Sequence, residues 1–173
     1  MDINNLVKGI VTLVKPFVRN LEVSTDLVSG LPSVRVNPSQ VEQVLMNLVL
    51  NSVAAVGRVG EITVSTGRTT ICLALRREDL RGRPHALVIQ MDEEALSFEN
   101  IVVEVADNGP GIREDHLLEI FEAFFTTKGD GEGTGLGLAI ARSIIGEWGG
   151  NILVASREGE GASFRVFLPI LGA

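Results

Sequence analysis

Apolar residues in this chain recur at two different periods, and the periods alternate along it. Leu6, Ile10, Leu13, Val14 and Phe17 fall at helical spacing, so residues 4–18 read as an amphipathic helix. "LEVSTDLV" then alternates as a strand does. A second helical run opens at Asn37, a suitable N-cap, with Pro38 in the first helical position and Gln40 completing a capping box. It continues to about Val56 and stops at Gly57 and Gly60, after which "EITVSTGR" alternates again. Within residues 68–99, "TTICLALRR" and "HALVIQM" read as two strands separated by "EDLRGRP", an extended hairpin insertion. "NIVVEVAD" is a strand, residues 113–132 are polar with scattered phenylalanines, and "TGLGLAIARSIIGEW" is a helix. Leu138, Ala141, Ile145 and Trp148 make that helix's apolar stripe, and "NILVAS" and "ASFRVFLP" form a hairpin around "REGEG". About three helices with one apolar side each, among strands, predict a two-layer α/β (α+β) sandwich: a mixed sheet covered on one face. Residues 1–173 are enough for one such domain, and no repeat or internal linker divides them.

Charge narrows what the domain can bind. The formal charge of −7 and the absence of any basic run argue against a nucleic-acid surface. Cys72 is the only cysteine, which excludes a disulfide framework and a cysteine-based metal site. The apolar stretch "LVKGIVTLVKPFV" is interrupted by Lys8, Lys15 and Pro16, so neither a signal peptide nor a membrane span is read there. The expectation is a cytoplasmic domain, whether or not the full-length protein is anchored in a membrane. An acidic protein still binds an anion such as a nucleotide if backbone N–H groups and a metal supply the local positive field.

Four stretches carry chemistry. In "NLVLNSVAAV", Asn47 and Asn51 stand one turn apart on an otherwise apolar helix and point the same way. Buried asparagines cost free energy without partners, whereas an amide oxygen suits a hard cation such as Mg²⁺, which binds alongside nucleotide phosphates. "DNGPGI" puts the carboxylate of Asp107 at a strand end, able to accept a hydrogen bond from the amine of adenine, before glycines that permit close backbone approach. "GTGLGL" places Gly133, Gly135 and Gly137 at the mouth of a helix, where free N–H groups favour phosphate. "FEAFFTTK" lies between these two, and its phenylalanines alone read as core residues.

Taken together and in this order, the four resemble the N, G1, F and G2 boxes of the catalytic ATP-binding domain of sensor histidine kinases. These belong to the Bergerat-type ATPases, with gyrase, heat-shock chaperones and mismatch-repair ATPases. The closing "GEGASFRVFLP" resembles the end of the same domain, so the likeness covers nearly the whole chain. The resemblance implies Asn51 as the magnesium ligand, Asn47 near the terminal phosphate and Asp107 as the reader of adenine. Gly109 and Gly111 would bring the backbone up to the base, and Gly133, Gly135 and Gly137 would form the phosphate loop. Ile112, Phe125, Thr134, Leu136 and Leu138 would line the nucleotide beside them. Residues 113–132 would be a mobile ATP lid with Phe124 and Phe125 as apolar anchors and Lys128 as a phosphate-neutralising helper. ATP and Mg²⁺ are the implied cofactors.

Three departures stand out. Ala54 occupies the place of a lysine common in such kinases, and Ala162 that of a hydroxyl residue. Ser163 does not replace it, because adjacent strand residues face opposite sides. Residues 68–99 are longer than the usual connection and resemble the extra hairpin of nitrogen-regulation-type sensor kinases. The phospho-acceptor motif of the family is matched by neither His85 nor His116, read as a strand-edge residue and an exposed lid residue. The acceptor is therefore expected on a dimerisation (histidine phosphotransfer) domain outside this chain, with a response regulator as the further partner. The domain alone is expected to be a monomer that touches neither nucleic acid nor membrane. The alternatives are another Bergerat-type ATPase, an anti-sigma serine kinase, or a domain that binds nucleotide without catalysis.

Overall fold

Two of the helices begin where a short polar side chain takes up backbone N–H groups that have no helical partner. The computed structural model describes residues 1–18, 20–72, 86–88, 97–127 and 133–170. The Asp2 carboxylate accepts from the amides of Asn4 (2.9 Å) and Asn5 (3.3 Å) and opens α1 (Ile3–Val14). Beyond it, Lys15–Phe17 tighten into a 3-10 turn around Pro16, which has no N–H to donate. Asn37 accepts from the amide of Ser39 at 3.0 Å, Pro38 takes the first position, and α2 runs Pro38–Val56. Gln40 does not complete a capping box. The Trp148 indole donates to Gln40 Oε1 (3.1 Å), and Gln40 Nε2 donates to Glu147 (3.2 Å). A half-buried indole N–H needs an acceptor, and that demand outweighs the cap.

The strands are β1 (Leu21–Leu27), β2 (Gly60–Cys72), β3 (Ala86–Val88), β4 (Ser97–Asp107), β5 (Asn151–Ser156) and β6 (Ala162–Pro169), with α3 (Gly137–Glu147) preceding β5. They form one sheet in the order β1-β2-β4-β6-β5-β3. β1 is parallel to β2 and the other pairs are antiparallel, so the sheet is mixed. The insertion departs from the expected hairpin. β2 pairs with β4 as far as Cys72 opposite Ser97, whereas β3 lies against β5 at the far edge, Val88 opposite Leu153. With β2 and β6 already flanking β4, a strand within this connection can add only at an edge, and that of β5 is the one it takes. The remainder of the expected pair, residues 73–85 and 89–96, lies outside the described residues.

Period-two burial gives the sheet one apolar face. Ile62 and Val64 of β2, Ile101, Val103 and Val105 of β4, and Phe164, Val166 and Leu168 of β6 are buried in one core with Val44, Leu45, Leu48 and Val49 of α2. Ile3, Val7, Ile10, Val11 and Val14 of α1 and Ala141, Ile144 and Ile145 of α3 complete it. The intervening strand positions are polar pairs: Ser24 with Thr63 (3.0 Å), and Arg165 donating to Glu104 (3.0 Å). Among the described residues, the helices cover one face of the sheet, as the alternating periods predict.

Candidate functional site

β4 ends in a loop that is held from three sides. Asn108 clasps β2, accepting from the Glu61 amide (2.8 Å) and donating its own amide to the Glu61 carbonyl (3.2 Å). The Ile112 amide donates to Ser156 Oγ (2.8 Å), and that hydroxyl donates to the Gly161 carbonyl (2.7 Å). The turn after β5 is thereby fastened to the loop. Gly111 has φ +72°, and a β-carbon there would run into the Arg157 carbonyl, so only glycine lets the loop lie this close. Asp107 is half-buried at its base. Its Oδ1 accepts from the Gly109 amide (3.0 Å) and its Oδ2 from the Ser52 hydroxyl (2.8 Å). The carboxylate is tied to the helix layer as well as to its own loop.

A cavity of about 640 Å³ opens between this loop, α2 and the start of α3, within the usual range for a small-molecule site. Asn47, Asn51, Asp107, Gly111, Ile112, Phe125, Gly133, Thr134, Gly135, Gly137 and Leu138 all line it. Gly109 stands behind Asp107, and Leu136 caps α3; neither is on the wall. Lys128 lies outside the described residues. The two asparagines differ. Asn47 Nδ2 donates to the Gly137 carbonyl at 3.1 Å, joining α2 to the mouth of α3. The Asn51 amide makes no hydrogen bond among the described residues. α3 begins at Gly137 without a side-chain cap or an acidic residue in its first turn, so its first amides and dipole face the cavity uncompensated.

The segment after the loop corrects two expectations. A 3-10 turn at Glu114–His116 and the Ile120 amide donating to the His116 carbonyl (3.0 Å) wind the chain, placing Leu117, Ile120 and Phe121 on one side. These three are buried in the core and anchor the segment, with Phe125 half-buried behind them. Phe124 is no anchor. It is 74% exposed, with φ +70°. Its amide donates to the Gly135 carbonyl (2.9 Å), and Gly135, at φ +65°, has no room for a β-carbon against the Phe124 backbone. His116 is half-buried, packed edge-on against Phe125 with centroids 5.4 Å apart, and it lines the cavity. An exposed lid position was expected.

Ser52 and Ser156 were not singled out by sequence reasoning. Each is a buried hydroxyl in an apolar run, which is the signal that could have found them. Arg113, also on the wall, forms a two-point ion pair with Asp115 (3.1 and 2.6 Å). That hydrogen bonding raises the guanidinium pKa and holds the Asp115 carboxyl below its usual range. Among the described residues, no cluster of His, Cys, Asp or Glu could hold a metal ion.

Residues 36–172 match the family model described as histidine kinase-, DNA gyrase B-, and HSP90-like ATPase. The chain belongs to this family. Within the family it is similar to the sensor histidine kinase ZraS of Escherichia coli K12, with 33% identity over 98% of this chain and 30% of ZraS. It is also similar to the sensory histidine kinase/phosphatase NtrB of Rhizobium leguminosarum, with 36% identity over 88% of this chain and 36% of NtrB. The chain thus spans about a third of the length of these relatives. Among solved structures, the catalytic domain of the histidine kinase ThkA superposes with a TM-score of 0.70 and 29% identity, covering 96% of this chain and 93% of that one. ThkA has also been solved with the response regulator protein TrrA. The chain's fold and sequence are those of the ATP-binding catalytic domain of sensor histidine kinases.

Proposed function

We propose that this domain holds ATP with Mg²⁺ so that the γ-phosphoryl group passes to a histidine on the dimerisation domain of its own protein, and from there to a response regulator. One observation carries the reading: a single cavity has a carboxylate at one end and an uncapped helix mouth at the other, each suited to one end of a nucleotide. Asp107 accepts from the amine of adenine while the loop of Gly109 and Gly111 brings backbone up to the base. The first amides of α3 and the loop of Gly133, Gly135 and Gly137 face the phosphates. Asn47 holds the mouth of α3 in place through Gly137.

The donor set fits a magnesium ion. Among the described residues, Asn51 offers a wall-lining amide oxygen with no hydrogen-bond partner, and no cluster of carboxylates competes for the metal. A hard cation bound by one protein oxygen would complete its shell with phosphate oxygens and water. When bound, Mg²⁺ supplies charge neutralisation at the phosphates. That matters because Ala54 contributes none, Arg113 is paired with Asp115, and His116 is packed on Phe125. Lys128 is assigned the helper's place. Transfer breaks the bond between the γ-phosphorus and its bridging oxygen and forms a phosphorus–nitrogen bond, so it depends on positioning a separate imidazole in line. Among the described residues no helix is long and apolar enough to cross a membrane. We place the domain in the cytoplasm, as a monomer when alone.

The chain is tested with labelled ATP, alone and with its own dimerisation helices supplied as a second protein. Alone it should bind nucleotide, turn it over negligibly and take up no label. With the helices, label should appear on their histidine, lost in acid and stable in alkali, and pass to a response-regulator aspartate. Steady turnover by the chain alone, or acid-stable phosphoserine, would favour another ATPase or a serine kinase. Binding without transfer would favour a non-catalytic domain.

A further inference from the structure

We propose that Ser52 fixes Asp107 as the acceptor for the base, a task that the residue opposite Asp107 on the sheet cannot perform. The inference rests on the nucleotide reading above. Ser52 is 1% exposed, follows Asn51 directly on α2, and donates its hydroxyl to Asp107 Oδ2 at 2.8 Å. Among the described residues it is the only side chain that donates to this carboxylate; the other oxygen takes the Gly109 amide at 3.0 Å.

Ala162 is the register partner of Asp107 on β6, so its side chain shares that face of the sheet, and it lines the cavity. Its methyl group has no hydrogen to donate. Ser163 beside it turns to the other face and donates to Glu104 at 2.5 Å. The sheet therefore brings no hydroxyl to Asp107, and the helix layer does.

With one hydrogen bond on each oxygen, the carboxylate is held in one plane, with its remaining lone pairs left for a ligand. A fixed acceptor takes an exocyclic amine and disfavours a carbonyl in the same place. Ser52 is thus a positioning residue for base choice, acting through Asp107. It also joins the two ends of the site, because Asn51 and Ser52 are consecutive residues of one helix.

Calorimetry with ADP and inosine diphosphate, which carries a carbonyl in place of the amine, tests this on the full chain, on Ser52→Ala and on Ser52→Ala combined with Ala162→Ser. The unsubstituted chain should prefer ADP. Ser52→Ala should weaken ADP on the order of tenfold and inosine diphosphate much less, narrowing the preference. Ala162→Ser, placing a hydroxyl opposite Asp107, should widen it again. If the unsubstituted chain does not discriminate, the adenine reading fails and the role of Ser52 fails with it. If it discriminates and Ser52→Ala keeps the same ratio, the role of Ser52 alone is overturned. Equal weakening of both nucleotides with a lowered melting midpoint would make Ser52 a packing residue, and would overturn the proposal as well.

Discussion

Asn47 and Asn51 have the same side chain, one turn apart on the same helix, yet their tasks differ because their surroundings do. Asn47 spends its amide on the Gly137 carbonyl, whereas Asn51 keeps its own for the cavity. Asn51→Ala should therefore weaken ATP on the order of tenfold, about 1.4 kcal/mol, in Mg²⁺ and much less in EDTA. Calorimetry in both buffers checks this, and an equal loss in each would remove the metal role. The pair was legible because two asparagines interrupt an apolar stripe. The partner of Asp107 was not, since Ser52 and Asp107 are 55 residues apart and only packing brings them together. Gln40 was misread for a similar reason: its local motif is sound, but the Trp148 indole arrives from 108 residues away.

At the scale of elements, the segment from Arg113 onward divides into two parts. Leu117, Ile120 and Phe121 are spaced i, i+3, i+4 and buried, so the first part is fixed to the core. Charges interleaved in "EDHLLEIFE" hid that spacing, and the stretch read as a polar lid. Thr127, Gly133 and Thr134 are exposed on the cavity rim. Amide exchange should accordingly be slow at Ile120 with or without ligand. At Thr127, Gly133 and Thr134 it should be fast in the empty protein and slower with a non-hydrolysable ATP analogue. Exchange at the rim that the analogue leaves unchanged would mean that no lid closes there. Exchange at Ile120 as fast as at the rim would dissolve the division.

For the whole molecule, alternating periods were enough to give three helices on one face of a mixed sheet, because amphipathicity is written locally. Sheet order is set by which edges remain free, and no local pattern shows β3 crossing to β5. The site belongs to this scale too, since Asn51, Asp107, Phe125 and Gly137 converge from four separate stretches. The proposed nucleotide site is built from these stretches together, with the base at the end of β4 and the phosphates at the mouth of α3. Amide NMR spectra of the chain with ADP and a trace of Mn²⁺ in place of Mg²⁺ test it most directly, because the paramagnetic ion broadens signals near the phosphates. Broadening should be strongest at Asn51, Gly135 and Gly137 and weaker at Gly109 and Ile112. Broadening centred on Gly109 and Ile112, or none at all with ADP bound, would contradict it.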